Sequence, residues 1–128
     1  MSPLVVLLVE DEPLIRMDLE AALGDAGFEV ISAPNAAEAT ALFDDRAGEI
    51  RAVLTDIRLG RGRTGWDIGR HVRQGVPTMP VVYMSGDSSA DWTAQGVPNS
   101  IMIAKPFVFP QIITAISTLL NQADPAPP

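Results

Sequence analysis

The chain contains no cysteine, and among its nine basic residues only Lys105 is a lysine. The lack of cysteine removes disulfide staples, thiol nucleophiles and cysteine-based metal sites, and makes the cytoplasm the expected compartment. Long apolar runs are also missing. Residues 4–9 are apolar throughout, but a membrane span needs about 20 such residues. The preceding Met1, Ser2 and Pro3 lack the basic charge of a signal peptide, so this run belongs to the fold and no membrane partner is expected. Positive charge is scarce. A net charge of −7 argues against direct binding of nucleic acid, which draws largely on neutralising phosphates.

What is present is a core. Of 128 residues, 47% are hydrophobic, enough for one ordinary domain without staples. No repeat or second domain is visible. Residues 1–122 read as one domain and residues 123–128 as a disordered, proline-rich tail. Because the chain otherwise chooses arginine, Lys105 marks a place that needs a compact, mobile ammonium rather than a planar fork.

Residues 4–9 show no polar alternation, the pattern of a central parallel strand covered on both faces. Pro13 suits the first turn of a helix, and Ile15, Leu19, Ala22, Leu23 and Ala26 mark one helical face that Gly27 ends. A mixed strand over 28–32 has the character of an edge. Asn35 is placed to cap a second helix, with Ala36, Ala39, Leu42 and Phe43 on one stripe. Residues 51–55 form a third strand that delivers Asp56 to its tip, before a loop holding Arg58, Arg61 and Arg63.

A third helix is expected over 65–74, burying Trp66, Ile68 and Val72, and a fourth strand over 81–84 leads to Ser85. Residues 88–99 are weakly patterned and predict a short or poorly formed helix. A fifth strand over 101–104 leads to Lys105. The last helix is expected to bury Phe109, Ile112, Ile113, Ile116, Leu119 and Leu120.

Strands alternating with helices predict an α/β domain with a five-stranded parallel sheet and helices on both faces. Such sheets bind ligands beyond the carboxyl ends of their strands, where the strand order reverses. Those ends carry Glu10 and Asp11, Asp56, Ser85 and Lys105. Each alone has a plainer reading, as a helix cap, a turn or solvated surface. As a set, with strand order 2-1-3-4-5, the acids of the first and third strands converge. Carboxylates that close must take up protons or hold a cation. Oxygen donors without histidine or cysteine favour Mg²⁺ or Mn²⁺. A hydroxyl and an ammonium opposite them suit an anion carried on one carboxylate.

On Val9-Glu10-Asp11, Thr55-Asp56, Met84-Ser85-Gly86 and Lys105-Pro106-Phe107, the chain resembles the response-regulator receiver domains of two-component signalling, which have a flavodoxin-like fold. The resemblance covers residues 4–121. It implies a single-domain response regulator, not an enzyme in the ordinary sense, that assists its own phosphorylation and dephosphorylation. Asp56 would accept a phosphoryl group from a histidine kinase, a histidine phosphotransfer protein or a small acyl phosphate. Asp11, Asp56 and the backbone carbonyl of Arg58 would ligate Mg²⁺ or Mn²⁺, and Glu10 would act through a metal-bound water. Ser85 and Lys105 would hold phosphoryl oxygens, and the Lys105-Pro106 bond would be cis.

Three departures matter. Receivers usually carry an aromatic switch residue two positions before the lysine, where this chain has Met102. Many have proline four residues after the acceptor, where this chain has Gly60. Ser85 replaces the commoner threonine. The pattern is similar to an alphaproteobacterial subgroup with an atypical switch. Arg58 and Asp87, two residues after the acceptor and the hydroxyl, are candidates for an ion pair over the phosphoryl group, or else two solvated loop charges. His71 reads as structural.

Two other functions compete. An aspartate-nucleophile phosphatase would have a second acid where Arg58 stands, and a receiver-like interaction module would dispense with phosphorylation. Output is expected through protein docking, to an unknown target or a second copy, on the face of strand five and the last helix.

Overall fold

The computed structural model describes residues 3–123. Five strands, β1 (Val5–Val9), β2 (Glu29–Ala33), β3 (Ile50–Asp56), β4 (Val81–Ser85) and β5 (Ile101–Ala104), pair in parallel in the order β2-β1-β3-β4-β5. Between them run α1 (Pro13–Asp25), α2 (Ala36–Arg46), α3 (Gly65–Gly75) and the single turn of α4 (Trp92–Gln95), and α5 (Phe109–Ala123) closes the fold. This is the flavodoxin-like arrangement. Parallel strands need helical crossovers, and those cover both faces of the sheet.

Each central strand sends alternate side chains to opposite faces, which divides the core in two. Leu7, Val53, Val81 and Tyr83 pack with Phe43 of α2 and Trp66, Ile68 and Val72 of α3. On the other face Leu8, Leu54, Val82 and Met84 pack with Leu19 and Leu23 of α1 and with Ile112 and Ile116 of α5. Complete burial of such a side chain stabilises by about 1.5–3 kcal/mol, so these strands are the rigid base on which the strand tips stand.

The helix ends follow local chemistry. Pro13 begins α1, and Asn35 accepts the Glu38 N–H at 2.8 Å to cap α2. At α3, Thr64 N donates to Asp67 Oδ2 at 2.8 Å. Gly27, at φ +97°, turns the chain out of α1 in a conformation that side chains resist.

Some expectations need correction. Ala26 is exposed, because α1 ends at Asp25 and Ala26 lies past its last buried turn as the C-cap. Phe109 is 40% exposed: it is the first residue of α5, and the stripe that meets the sheet starts one turn later at Ile112. Strand β2 runs one residue later than expected, β3 extends through Asp56 and β4 through Ser85, so both site residues are the last residues of strands rather than the first of loops. Ala123, expected to open the tail, is the last residue of α5, and residues 124–128 lie outside the described residues. No helix among the described residues is long and apolar enough to cross a membrane.

Candidate functional site

The reversal of strand order falls between β1 and β3, and the carboxyl ends of β1, β3, β4 and β5 form one rim. Parallel register sets their alignment, with Val9 opposite Thr55, Asp56 opposite Met84 and Ser85 opposite Ala104. Backbone bonds continue past the strand ends: Glu10 N donates to Ala33 O at 3.1 Å, Ile57 N to Met84 O at 3.1 Å and Lys105 N to Ser85 O at 2.8 Å. The site residues are therefore fixed by the sheet rather than by mobile loops.

Carboxylate oxygens of Glu10, Asp11 and Asp56 lie within 4.8 Å of one another. Glu10 is 1% exposed and Asp56 7%, while Asp11 faces solvent. Burial, reinforced by the Asp56 charge, pushes the Glu10 carboxyl up to about 7 despite the opposing pull of Lys105. Lys105 reaches in from β5, with Nζ 3.1 Å from Asp56 Oδ2 and 3.3 Å from Glu10 Oε1. Burial works against its ammonium, but the charges of Asp56 and Glu10 outweigh it and hold its pKa above the ordinary lysine value. The Lys105-Pro106 peptide is cis.

Asp56 Oδ1 accepts the N–H of Ile57 at 2.8 Å, which fixes the carboxylate plane. Ser85 Oγ accepts from Asp87 N at 3.2 Å and Ser88 N at 2.6 Å, filling both acceptor positions of the hydroxyl. Its hydrogen donates to nothing among the described residues. Asp56, Arg58, Ser85, Gly86, Asp87 and Lys105 line an open cleft. Over it, Arg58 and Asp87 form a two-point ion pair, Nη2 to Oδ2 at 2.8 Å and Nε to Oδ1 at 3.0 Å. The Ser88 hydroxyl adds a bond to Asp87 Oδ1 at 3.1 Å.

Two residues near the site escaped the sequence reading. A Cβ on Gly65 would collide with the backbone carbonyl of Asp56, so this glycine lets α3 begin directly against the acceptor strand. Ser88 is buried and holds both Ser85 and Asp87. Neither lies at a strand end. Met102 is only partly buried and packs against the α2 and α3 side of the core, away from the carboxylates. His71 bonds Asp44 at 2.7 Å between α3 and α2, remote from the rim.

Residues 6–117 match the family model of the response regulator receiver domain. The chain belongs to that family. Receiver domains are phosphoacceptor domains of signalling systems, and this receiver is homologous to those of known response regulators. A response regulator receiver protein from Sinorhizobium medicae is 40% identical, superimposes with a TM-score of 0.92, and the match covers 95% of this receiver and 98% of that chain. The sensor kinase CckA of Brucella abortus is 30% identical over 93% of this chain and 13% of its own length. The phyllosphere-induced regulator PhyR of Methylorubrum extorquens is 29% identical over 90% of this chain and 43% of its own. The receiver thus spans less than half the length of these two curated relatives.

The acidic set suits a hard divalent cation. Its donors are all oxygens, one acid is open to solvent, and the ammonium of Lys105 pairs with the other two.

Proposed function

We propose that this receiver accepts a phosphoryl group on Asp56 from the phosphohistidine of a histidine kinase or histidine phosphotransfer protein, and that it signals by docking to a protein. The observation that carries this reading is the meeting of Glu10, Asp11 and Asp56 with Lys105 at the reversal point of the sheet. An Asp56 carboxylate oxygen attacks phosphorus in line, the bond from phosphorus to the imidazole nitrogen breaks, and the electron pair leaves with the imidazole.

Positioning and neutralisation of charge supply most of the acceleration in such a transfer. The Ile57 N–H orients the acceptor. Ser85 offers its free hydroxyl hydrogen to one phosphoryl oxygen, and Lys105 turns from the Asp56 carboxylate to pair with another. Asp11, Asp56 and the Arg58 carbonyl would hold Mg²⁺ or Mn²⁺, with Glu10 acting through a bound water. When present, the ion neutralises charge on the phosphoryl oxygens.

The Arg58–Asp87 pair limits the approach of hydrolytic water to the acyl phosphate. Output leaves through the face of β5 and α5, to a protein target or a second copy, in the cytoplasm and without direct contact to nucleic acid or membrane. Labelling with acetyl phosphate in the presence of Mg²⁺ tests the assignment: the native protein gains an acid-stable, base-labile phosphoryl group and Asp56→Asn does not.

A further inference from the structure

The three acids of the site are not held equally. Asp56 ends a strand that is paired on both sides, and Ile57 after it is buried and bonds Met84 O at 3.1 Å. Asp11, Glu12, Pro13 and Leu14 are all exposed, and α1 buries no side chain completely before Leu19. Glu12, the N-cap of α1, makes no side-chain cap bond. The turn that carries Asp11 therefore lacks both the packing and the capping that fix the start of most helices.

One side chain takes their place. Arg16, half-buried one turn into α1, reaches back and donates from Nη1 to the backbone carbonyl of Glu10 at 2.8 Å. Its own N–H opens the helix with a bond to Glu12 O at 2.9 Å. The carbonyl that Arg16 holds belongs to the planar peptide joining Glu10 to Asp11, so pinning it sets the direction in which both acids leave the chain. Glu10 N already donates to Ala33 O at 3.1 Å, and the Arg16 bond fixes the other side of the same residue. Arg16 makes no ion pair among the described residues, although Glu10, Asp11 and Glu12 all precede it closely in the chain. A planar guanidinium on a long stem is suited to this reach.

We propose that Arg16 is a positioning residue for the divalent cation: by tethering the Glu10–Asp11 peptide it keeps Asp11 in reach of the ion that Asp56 also binds. The proposal rests on the reading of Asp11 and Asp56 as ligands of Mg²⁺ or Mn²⁺. Arg16 acts on such an ion in two ways of opposite sign. Its positive charge repels a cation, an effect that salt screens. Its hydrogen bond organises the ligands beforehand, so that binding does not have to order the turn. The bond is direct, whereas the charge acts through space beside water, and the tether decides the outcome.

Amide resonances of the full chain, followed by NMR during titration with Mg²⁺, separate the two effects. Arg16→Met removes tether and charge together, and Arg16→Lys keeps the charge without the outer nitrogens that reach Glu10. Both variants are expected to bind Mg²⁺ roughly three- to tenfold more weakly than native, the range for one hydrogen bond. The deficit is expected to persist when salt is raised. In chelator, with no ion bound, the order parameters of the Asp11 and Glu12 amides are expected to fall below native while those of β1 do not. Melting in chelator reports whether each variant is folded, and Arg16→Lys carries the test should Arg16→Met not fold. Unchanged or tighter Mg²⁺ binding in Arg16→Met, native affinity in Arg16→Lys, or native order at Asp11 and Glu12 overturns the proposal. If Mg²⁺ shifts neither Asp11 nor Asp56 in the native protein, the metal reading falls and the proposal with it, an outcome that the native titration alone identifies.

Discussion

Arg58 and Asp87 face each other across the mouth of the site, their two contacts at 2.8 and 3.0 Å joining the loop after β3 to the loop after β4. Both side chains are largely solvent-exposed, at 76% and 54%. Exposed pairs add little to stability, so the contact has to be judged by its effect on chemistry. Replacing both residues with alanine is expected to leave the melting temperature near native and to speed loss of the phosphoryl group from Asp56 several-fold. Timed release of inorganic phosphate measures this, and a native rate removes the pair from the account.

Lys105 is the cation that the described structure places against Glu10 and Asp56. Lys105→Ala leaves mutually repelling carboxylates, so the variant melts lower in the presence of a chelator. Mg²⁺ is expected to raise its melting temperature more than that of the native protein. Equal gains would mean that the ammonium and the ion do not share these acids.

Glycines at two positions give opposite outcomes. Gly65→Ala drives a methyl into the Asp56 carbonyl and is expected to cost about 1–3 kcal/mol, with slower phosphorylation as the strand tip shifts. Nothing lies within 4 Å of a Cβ added at Gly24, inside α1. Gly24→Ala is expected to gain about 0.5–1 kcal/mol. Denaturant unfolding separates the two, and a neutral Gly65→Ala would contradict the close approach of α3 to β3.

Asp67 supplies a dependence on pH. The Thr64 N–H foremost, with Arg70 assisting, holds its carboxyl below the ordinary aspartate value of 3.8. A depressed native pKa stabilises the fold above the unfolded value, and the contribution disappears as pH falls through the native one. Asp67→Asn is therefore expected to be less stable than native at pH 7, with the gap closing below pH of about 4. A constant gap would mean that the charge on Asp67 contributes nothing.

Much of this arrangement was legible before any coordinates. Uninterrupted apolar runs at residues 4–9 and 52–54 announced covered central strands, and the residues after each run proved to be the rim. The order 2-1-3-4-5 entered as the condition under which the acids of the first and third strands converge, and the sheet has that order. Contacts that depend on a third dimension were not legible. Tyr83 read as one more strand residue, since nothing in its own segment tells that its hydroxyl meets Val97 fourteen residues later. The close approaches at Gly65 and Gly69 were not legible because the collisions these glycines avoid come from residues of β3 and β4. Helical periodicity likewise put Ala26 and Phe109 on buried faces, without showing that each helix end overhangs the sheet.

Mapping the phosphoryl group after treatment with acetyl phosphate and Mg²⁺ tests the central claim most directly. Reduction of the acyl phosphate with borohydride followed by peptide mass spectrometry should mark Asp56 alone in the native protein and nothing in Asp56→Asn or in samples with chelator. An unmarked native protein, or a mark that persists in Asp56→Asn, would contradict the account.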